Sequence, residues 1–277
     1  IMADIDKIKG WLVYDNEGAK RNEWFINHIL ALSKKHNLNI QFKIMESAHS
    51  IPNSIDYPDF AIVRTINPSL TAALEARGIR CFNNAKTSFI ANDKYKTYLF
   101  CKSLGIDVMP TERVINDTPP TFTPPYVLKS VAGHGGSEVF LVKNNIDFPS
   151  VIKNLEDKFV IAQPLCSIPG MDMRIYALAG EVALSVLRRS EKDFRSNFSL
   201  GGTASIVECT PYQKDIINKL YNSLNFDFVG IDFIFNDGEW ILNEIEDVVG
   251  TRMIYNYTSI DIVDRWLTHI SHIMNYT

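Results

Sequence analysis

Apolar positions along the first ninety residues follow two alternating rhythms. Trp11 to Tyr14 is a short apolar run, and Ile40 to Ile44, Phe60 to Val63 and Arg80 to Phe82 read as further strands. Between them, Asn22 to His36 places Phe25, Ile29 and Leu32 on one face at helical spacing. Pro68 to Arg77 reads as a second helix, with proline near its start and Gly78 at its end. Strands alternating with helices predict a small parallel α/β layer. Lys86 to Leu104 then reads as one long helix closed by Gly105.

The texture changes after Thr118 to Pro125. This segment holds Pro119, Pro120, Pro124 and Pro125 and reads as a stiff connector between domains. Beyond it Tyr126 to Lys129, Val139 to Val142 and Phe159 to Gln163 look like strands, with a helix over roughly Pro149 to Asp157. A strand from Arg174, a turn at Gly180 and a strand from Glu181 to Arg189 follow. Tyr212 to Ser223 and Ser259 to Met274 are helical. Phe228 to Phe235 and Trp240 to Ile245 are expected to pair as a hairpin around Asn236-Asp237-Gly238, because Asp-Gly favours a tight turn.

Composition narrows the class. At 277 residues, with 46% apolar and 22% charged side chains, the chain has apolar surface enough to exclude disorder as its main state. A net charge of −4 disfavours a broad nucleic-acid surface. No apolar run reaches the roughly 18 residues of a membrane span. The first residues lack the basic start and apolar stretch of a signal peptide, and Ile1, which precedes Met2, is left out of the fold reading. Cys81, Cys101, Cys166 and Cys209 form no zinc spacing, so reduced cysteines in a cytoplasmic protein are expected.

Three constellations bear chemistry. The first is acidic. Glu244 and Glu246 share one side of their strand, Asn243 and Ile245 point to the other, and Asp232 can lie opposite the two acids. Three carboxylates on one face repel unless a cation sits between them, and hard oxygen ligands suit Mg²⁺. A solvated sheet face is the alternative, although apolar neighbours around Asp232 weigh against it. The second is Lys129 followed by a loop containing Gly133, His134, Gly135 and Gly136. Glycines let backbone N–H groups approach a phosphate, and a plain hairpin loop is the alternative. The third is basic: Arg174, Arg188, Arg189 and Arg195 can neutralise phosphates or a carboxylate substrate, or form a salt-bridge network. No arrangement for nucleophilic hydrolysis is present. His269 and His272, with no carboxylate partner evident, are expected at the surface.

The order of these signals along the chain resembles the ATP-grasp superfamily, and within it the RimK-like amino-acid (glutamate) ligases. The stretches that carry the resemblance are NDKYKT (Asn92 to Thr97), YVLKSVAGHGG (Tyr126 to Gly136), AQPL (Ala162 to Leu165), GMDMR (Gly170 to Arg174), RRSEKDFRSNFSLGG (Arg188 to Gly202), FVGIDFIF (Phe228 to Phe235) and NEIEDVVG (Asn243 to Gly250).

The resemblance implies an ATP-grasp fold of α/β and α+β type in three parts. These are an N-terminal α/β domain over 2–90, a central lid over 91–165 and a C-terminal domain over 166–277. ATP is expected between the last two. Its contacts would be Lys94, Lys129, Gly133, Gly135, Gly136, Gln163, Pro164, Leu165, Asp172, Arg195, Ser196 and Asn197. Arg174, Arg189, Arg195 and Asn197 match the reaction centre. Asp232, Glu244 and Glu246 match ligands for two Mg²⁺ ions, or for Mn²⁺ in their place. Arg188 and Arg252 are the substrate candidates.

The implied activity is ADP-forming carboxylate–amine ligation through an acyl phosphate. A small-molecule kinase and a non-catalytic ATP-binding module are the alternatives. The implied partners are amino acids or peptides, or a protein or carrier acceptor, with no nucleic acid or membrane; homo-oligomer formation is left open. Departures stand at Glu246, where asparagine is usual, at Pro164, where the hinge carries an acid, and at Leu200, where arginine often precedes the double glycine. The loop Asp247 to Tyr255 lacks the family's Ser-Pro-Gly flavour, so a different acceptor or acid specificity is expected.

Overall fold

The computed structural model describes residues 8–54, 56–191, 193–196 and 202–276. Its chain begins with a parallel sheet. Strands β1 (Ile8–Tyr14), β2 (Leu38–Ile44), β3 (Phe60–Val63) and β4 (Arg80–Phe82) lie in the order β2-β1-β3-β4. All four residues of β3 are buried, as expected for a parallel strand covered on both faces. The crossovers carry α1 (Asn16–Arg21), α2 (Glu23–Ser33) and α3 (Pro68–Glu75). The side chains of Asp15 and Asn67 accept backbone N–H groups at the starts of α1 and α3.

The long helix expected over Lys86 to Leu104 is two helices, α4 (Ala85–Ala91) and α5 (Lys94–Ser103). Asp93 between them is extended, and its carboxylate accepts the N–H groups of Tyr95 and Lys96. A side chain that satisfies the free donors of a new helix start lets the chain turn there. The break places Lys94 in the first turn of α5, from which it reaches the cleft described below.

A second sheet is antiparallel, with β5 (Glu112–Val114), β6 (Tyr126–Ser130), β7 (Val139–Val142) and β8 (Val160–Pro164) in the order β5-β8-β6-β7. Helix α6 (Phe148–Ile152) closes its small core around Tyr126, Leu128 and Leu155. The proline-rich segment joins β5 to β6 within this one sheet, so it is not a connector between domains. Strand β5 has three residues, too few for alternation to reveal it.

The third sheet contains β9 (Met171–Leu178), β10 (Glu181–Arg189), β11 (Thr203–Ile206), β12 (Phe228–Asn236) and β13 (Glu239–Glu246), antiparallel in the order β11-β10-β9-β12-β13. Helix α7 (Pro211–Leu224) starts with a reciprocal Thr210–Gln213 capping box and packs Ile216, Ile217 and Leu220 onto this sheet. Ala91, Cys101 and Ile106 join the same apolar cluster. Helices α4 and α5 therefore pack with the C-terminal sheet, although the sequence assigns residues from 91 onward to the lid.

Helices α8 (Arg252–Tyr257) and α9 (Ile262–Tyr276) complete the chain. One cluster runs from the parallel sheet, through Phe60 and Phe82, to Tyr176, Phe228 and Trp266. Burial of that continuous surface fixes the N-terminal layer against the C-terminal sheet. His269 on α9 is not a free surface residue: its Nε2 lies 2.8 Å from the buried Asp227 carboxylate, which also pairs with Arg80. No helix among the described residues is long and apolar enough to cross a membrane.

Candidate active site

A cleft opens between the second and third sheets. Its walls include Lys94, Lys129, Gly133, Gly135, Gly136, Gln163, Pro164, Leu165, Asp172, Arg188, Arg195, Ser196, Asp232, Asn243, Glu244 and Glu246. Residues from six strands, one helix and three loops thus converge across more than 150 positions of sequence.

The glycine loop forms one side. Gly135 and Gly136 have φ of +66° and +74°, a region that glycine enters without the steric cost of a Cβ. A Cβ at Gly133 would lie 2.8 Å from the Glu138 carboxylate. Lys94 Nζ donates to the Gly133 carbonyl, and Arg195 Nη1 donates to the Gly136 carbonyl at 2.8 Å. Both residues tie the loop to the body of the protein. Arg195 is itself steadied by Asp193, with contacts of 2.7 and 3.0 Å. At the hinge the side chain of Gln163 donates to Thr111 at 2.9 Å, while the N–H of Leu165 donates to the Pro125 carbonyl at 3.3 Å.

Opposite lies the β12–β13 hairpin. Asp232 and Glu244 are direct cross-strand neighbours, as strand alternation predicts. The next pair is Phe233 with Leu242, so Asn243 is an extra residue in β13. This β-bulge turns Asn243 toward the cleft, where its Oδ1 accepts from Lys129 Nζ at 3.1 Å. The expectation that Asn243 points away is therefore corrected. Strict alternation holds only while the two strands advance residue for residue.

The acids are held by the chain's own cations. Arg174 grips both oxygens of Asp232 at 2.7 Å and reaches Glu246 at 2.5 Å. Arg188 grips both oxygens of Asp172 at 2.6 Å and touches Asp232 at 2.8 Å. Lys94 pairs with Glu244 at 2.9 Å. Burial alone would raise the Asp232 carboxyl, but Arg174 and Arg188 outweigh it and hold the group down to about 2. Burial, with Asp232 and Glu244 beside it, pushes Glu246 up against the pull of Arg174. Burial also pushes the Lys129 ammonium down to about 8, with Lys94 adding and Glu244 opposing.

The RimK-like ATP-grasp domain model matches residues 96–270, well over half of the chain. The chain belongs to the RimK-like ATP-grasp family. Among similar proteins, the uncharacterized protein MG011 of Mycoplasma genitalium is 27% identical over 89% of this chain and 86% of its own length. A probable alpha-L-glutamate ligase of Xanthomonas campestris pv. campestris is 24% identical over 76% of each chain. The ATP-grasp fold matches D-alanine–D-alanine ligase from Bacillus anthracis, solved with ATP, at a TM-score of 0.73 and 15% identity over 97% of this chain and 99% of that one. It also matches the ATP-grasp ligase PsnB, solved with a precursor variant, Mg and ADP, at 0.68 and 14% identity over 96% and 98%.

In this RimK-like chain the donor set bears directly on a divalent cation. Glu244 and Glu246 each have one carboxylate oxygen engaged by a cation, which leaves the other oxygen for a hard ion. Both oxygens of Asp232 are taken by arginine. Among the described residues no three acidic, histidine or cysteine side chains converge on one metal-sized point. The glutamates fit Mg²⁺, whereas Asp232 joins them only if an arginine releases it. In this arrangement the Arg174 guanidinium bridges Asp232 and Glu246, and the Lys94 ammonium meets Glu244.

Other candidates separate cleanly. Arg188 is 2% exposed and points inward, whereas its neighbour Arg189 is exposed on the opposite face of β10. Arg189, expected at the reaction centre, thus lies outside the cleft that Arg188 lines, because one step along a strand reverses the side chain. Asn197 and Leu200 lie outside the described residues. Arg252 is absent from the cleft and lines a second space beside it, with Arg21, Trp24, Arg64, His134 and Tyr255. Sequence reasoning missed the N-terminal members of this group. Exposed Trp24, on the polar side of an amphipathic helix, is the one signal that marks them.

Proposed function

We propose that the chain is an ATP-dependent carboxylate–amine ligase that forms an amide or peptide bond and releases ADP and phosphate. One observation carries this reading: the cleft with its glycine loop opens directly into a second space, and Gly135, Arg188 and Glu246 line both. A module that only binds ATP needs one space, while transfer between substrates needs two that meet. The named ligases among its relatives and structural neighbours support the same reading.

In the first step a substrate carboxylate oxygen attacks the γ-phosphorus, and the bond to the β-phosphate oxygen breaks. Lys94, Lys129 and the loop amides neutralise the phosphates, and Arg174 and Arg188 orient the carboxylate. In the second step the amine nitrogen attacks the acyl carbon, gives up a proton, and phosphate leaves. The loop, held by Lys94 and Arg195, keeps water from the acyl phosphate. Mg²⁺, held by Glu244 and Glu246, would offset the charge on the transferring phosphoryl group.

The test is a matrix of amino acids and short peptides incubated with ATP and Mg²⁺, with products read by mass spectrometry. ADP, phosphate and an amine-dependent condensation product are expected. AMP and pyrophosphate would overturn the mechanism, and a stable phosphorylated product formed without amine would make the protein a kinase.

Lys129 gives a sharper test of the nucleotide site. Its ammonium titrates near 8 in the free protein, and a bound triphosphate would raise that value. Binding a non-hydrolysable ATP analogue at pH 8.5 should therefore take up protons, with less uptake at pH 7, where Lys129 is already charged. Calorimetry in two buffers of different ionisation heat measures this uptake. Lys129→Met should abolish it and weaken binding about tenfold or more.

A further inference from the structure

The second space, about 760 Å³ in volume, is built largely from parts of the chain that the nucleotide cleft does not use. Helices α1 and α2 contribute Arg21 and Trp24, the end of β3 contributes Arg64, and α8 contributes Arg252 and Tyr255. Five arginines line it against two carboxylates, Glu246 and Asp247. Both acids are engaged, Glu246 by Arg174 and Asp247 by the amides of Asn83 and Asn92. Neither Arg21 nor Arg252 forms an ion pair among the described residues. Arg64 is 6% exposed, donates to the Val249 carbonyl at 2.8 Å, and has no partner for its buried Nε. Unpaired positive charge in a concave space favours an anionic ligand, and guanidinium groups fit carboxylates in particular.

One wall is aromatic. Trp24 is 58% exposed, stacks on His28 at 4.9 Å with an interplanar angle of 17°, and meets Tyr255 edge-on at 4.9 Å. His28 and Tyr255 are both fixed by Asp261, at 2.8 and 2.9 Å. The indole is thus a rigid, uncovered surface, suited to a flat or apolar group.

The two spaces meet at Gly135, Arg188 and Glu246, so reacting atoms belong at that end. Arg21, Trp24, Arg252 and Tyr255 line only the far end, which must hold a part of a substrate that does not react. In the proposed second step the acceptor attacks an acyl phosphate that the loop covers. Its site has to open to solvent, and Arg21, Trp24 and Arg252 are exposed. We propose that this space binds the amine acceptor, an amino acid or short peptide whose free carboxylate lies against Arg21 and Arg252. Its flat or apolar side chain lies on Trp24. This inference rests on the ligase reading, and it places specificity for the acceptor in the N-terminal layer and α8.

The test compares the twenty amino acids with their carboxamides, which keep the amine and lose the charge. Binding to protein saturated with a non-hydrolysable ATP analogue is measured by calorimetry, and ADP release gives KM and kcat. Free acids with flat or apolar side chains should bind about tenfold or more tightly than their amides. Arg252→Ala and Arg21→Ala should erase that preference through KM more than kcat, and Trp24→Ala should erase the preference for flat side chains. Affinity for the ATP analogue should stay the same in all three and reports an intact fold. Equal treatment of acids and amides by the unaltered protein, or a preference that survives both arginine substitutions, overturns the proposal. If no compound supports ADP release, the ligase reading falls, while Arg252-dependent binding of free acids would still uphold the site.

Discussion

Replacing Arg174 with methionine should destabilise the protein by about 3–5 kcal/mol and stop turnover, because it strands the half-buried Glu246 carboxylate and leaves the buried Asp232 with one arginine instead of two. Arg174 makes both hydrogen bonds of a paired fork to Asp232 and a third contact to Glu246. Without it Asp232 keeps only Arg188, and Glu246 keeps no cation among the described residues. Lysine should not rescue the site, since a single ammonium cannot reproduce the planar fork. Adding Glu246→Gln to Arg174→Met should recover part of the loss by removing one stranded charge.

The pH dependence of unfolding adds a signed check on the same pair. Asp232 is held near 2 when folded, below its ordinary value, so its contribution is complete above about pH 4 and fades as pH falls through 2. That part of the acid limb should shrink in Arg174→Met, where Arg188 alone still holds the group down. Urea midpoints across pH measure both effects, and an unchanged midpoint at pH 7 would mean that the arginine does not bridge the acids.

Local patterns announced much of this architecture. The β12–β13 hairpin, with Asp232 opposite Glu244, followed from Asp-Gly and strand alternation. The glycine loop after Lys129 followed from its glycines. What escaped notice depended on pairing between distant segments. The bulge at Asn243 is invisible in period-two alternation, since it exists only relative to β12. Choosing between Arg188 and Arg189 needed the register of β10 on β9, which sets Arg188 beside Asp172. The His269–Asp227 contact joins α9 to the start of β12 across 42 residues. The break at Asp93 was readable in principle, because Asn92-Asp93 supplies a capping side chain before Lys94, but the apolar spacing on either side concealed it.

The bulge also changes what substitutions in β13 should do. Glu244 faces Asp232 across the hairpin and pairs with Lys94, which in turn grips the glycine loop. Glu244→Ala removes a carboxylate suited to Mg²⁺ and frees Lys94 at the same time. ADP release should fall about a thousandfold, the scale of several kcal/mol of lost charge stabilisation. The Mg²⁺ concentration needed for nucleotide binding should rise. By alternation alone Asn243→Ala would be silent, because its side chain would lie on the far face. With Asn243 Oδ1 on Lys129 Nζ at 3.1 Å, the substitution removes the one polar contact among the described residues that aims this ammonium. Nucleotide affinity should then drop about fivefold, the scale of one charged hydrogen bond, while the Mg²⁺ requirement stays near that of the unaltered protein. Glu246→Asn separates the two effects again: it restores the residue usual in the family but deprives Arg174 of its second acid. Mg²⁺-titrated binding and ADP release for the three variants, with circular dichroism as a control of folding, distinguish these outcomes. A silent Asn243→Ala beside a crippled Glu244→Ala would restore strict alternation and remove the bulge from the working site. A rise in Mg²⁺ requirement for Asn243→Ala alone would move the metal ligands one residue along the strand.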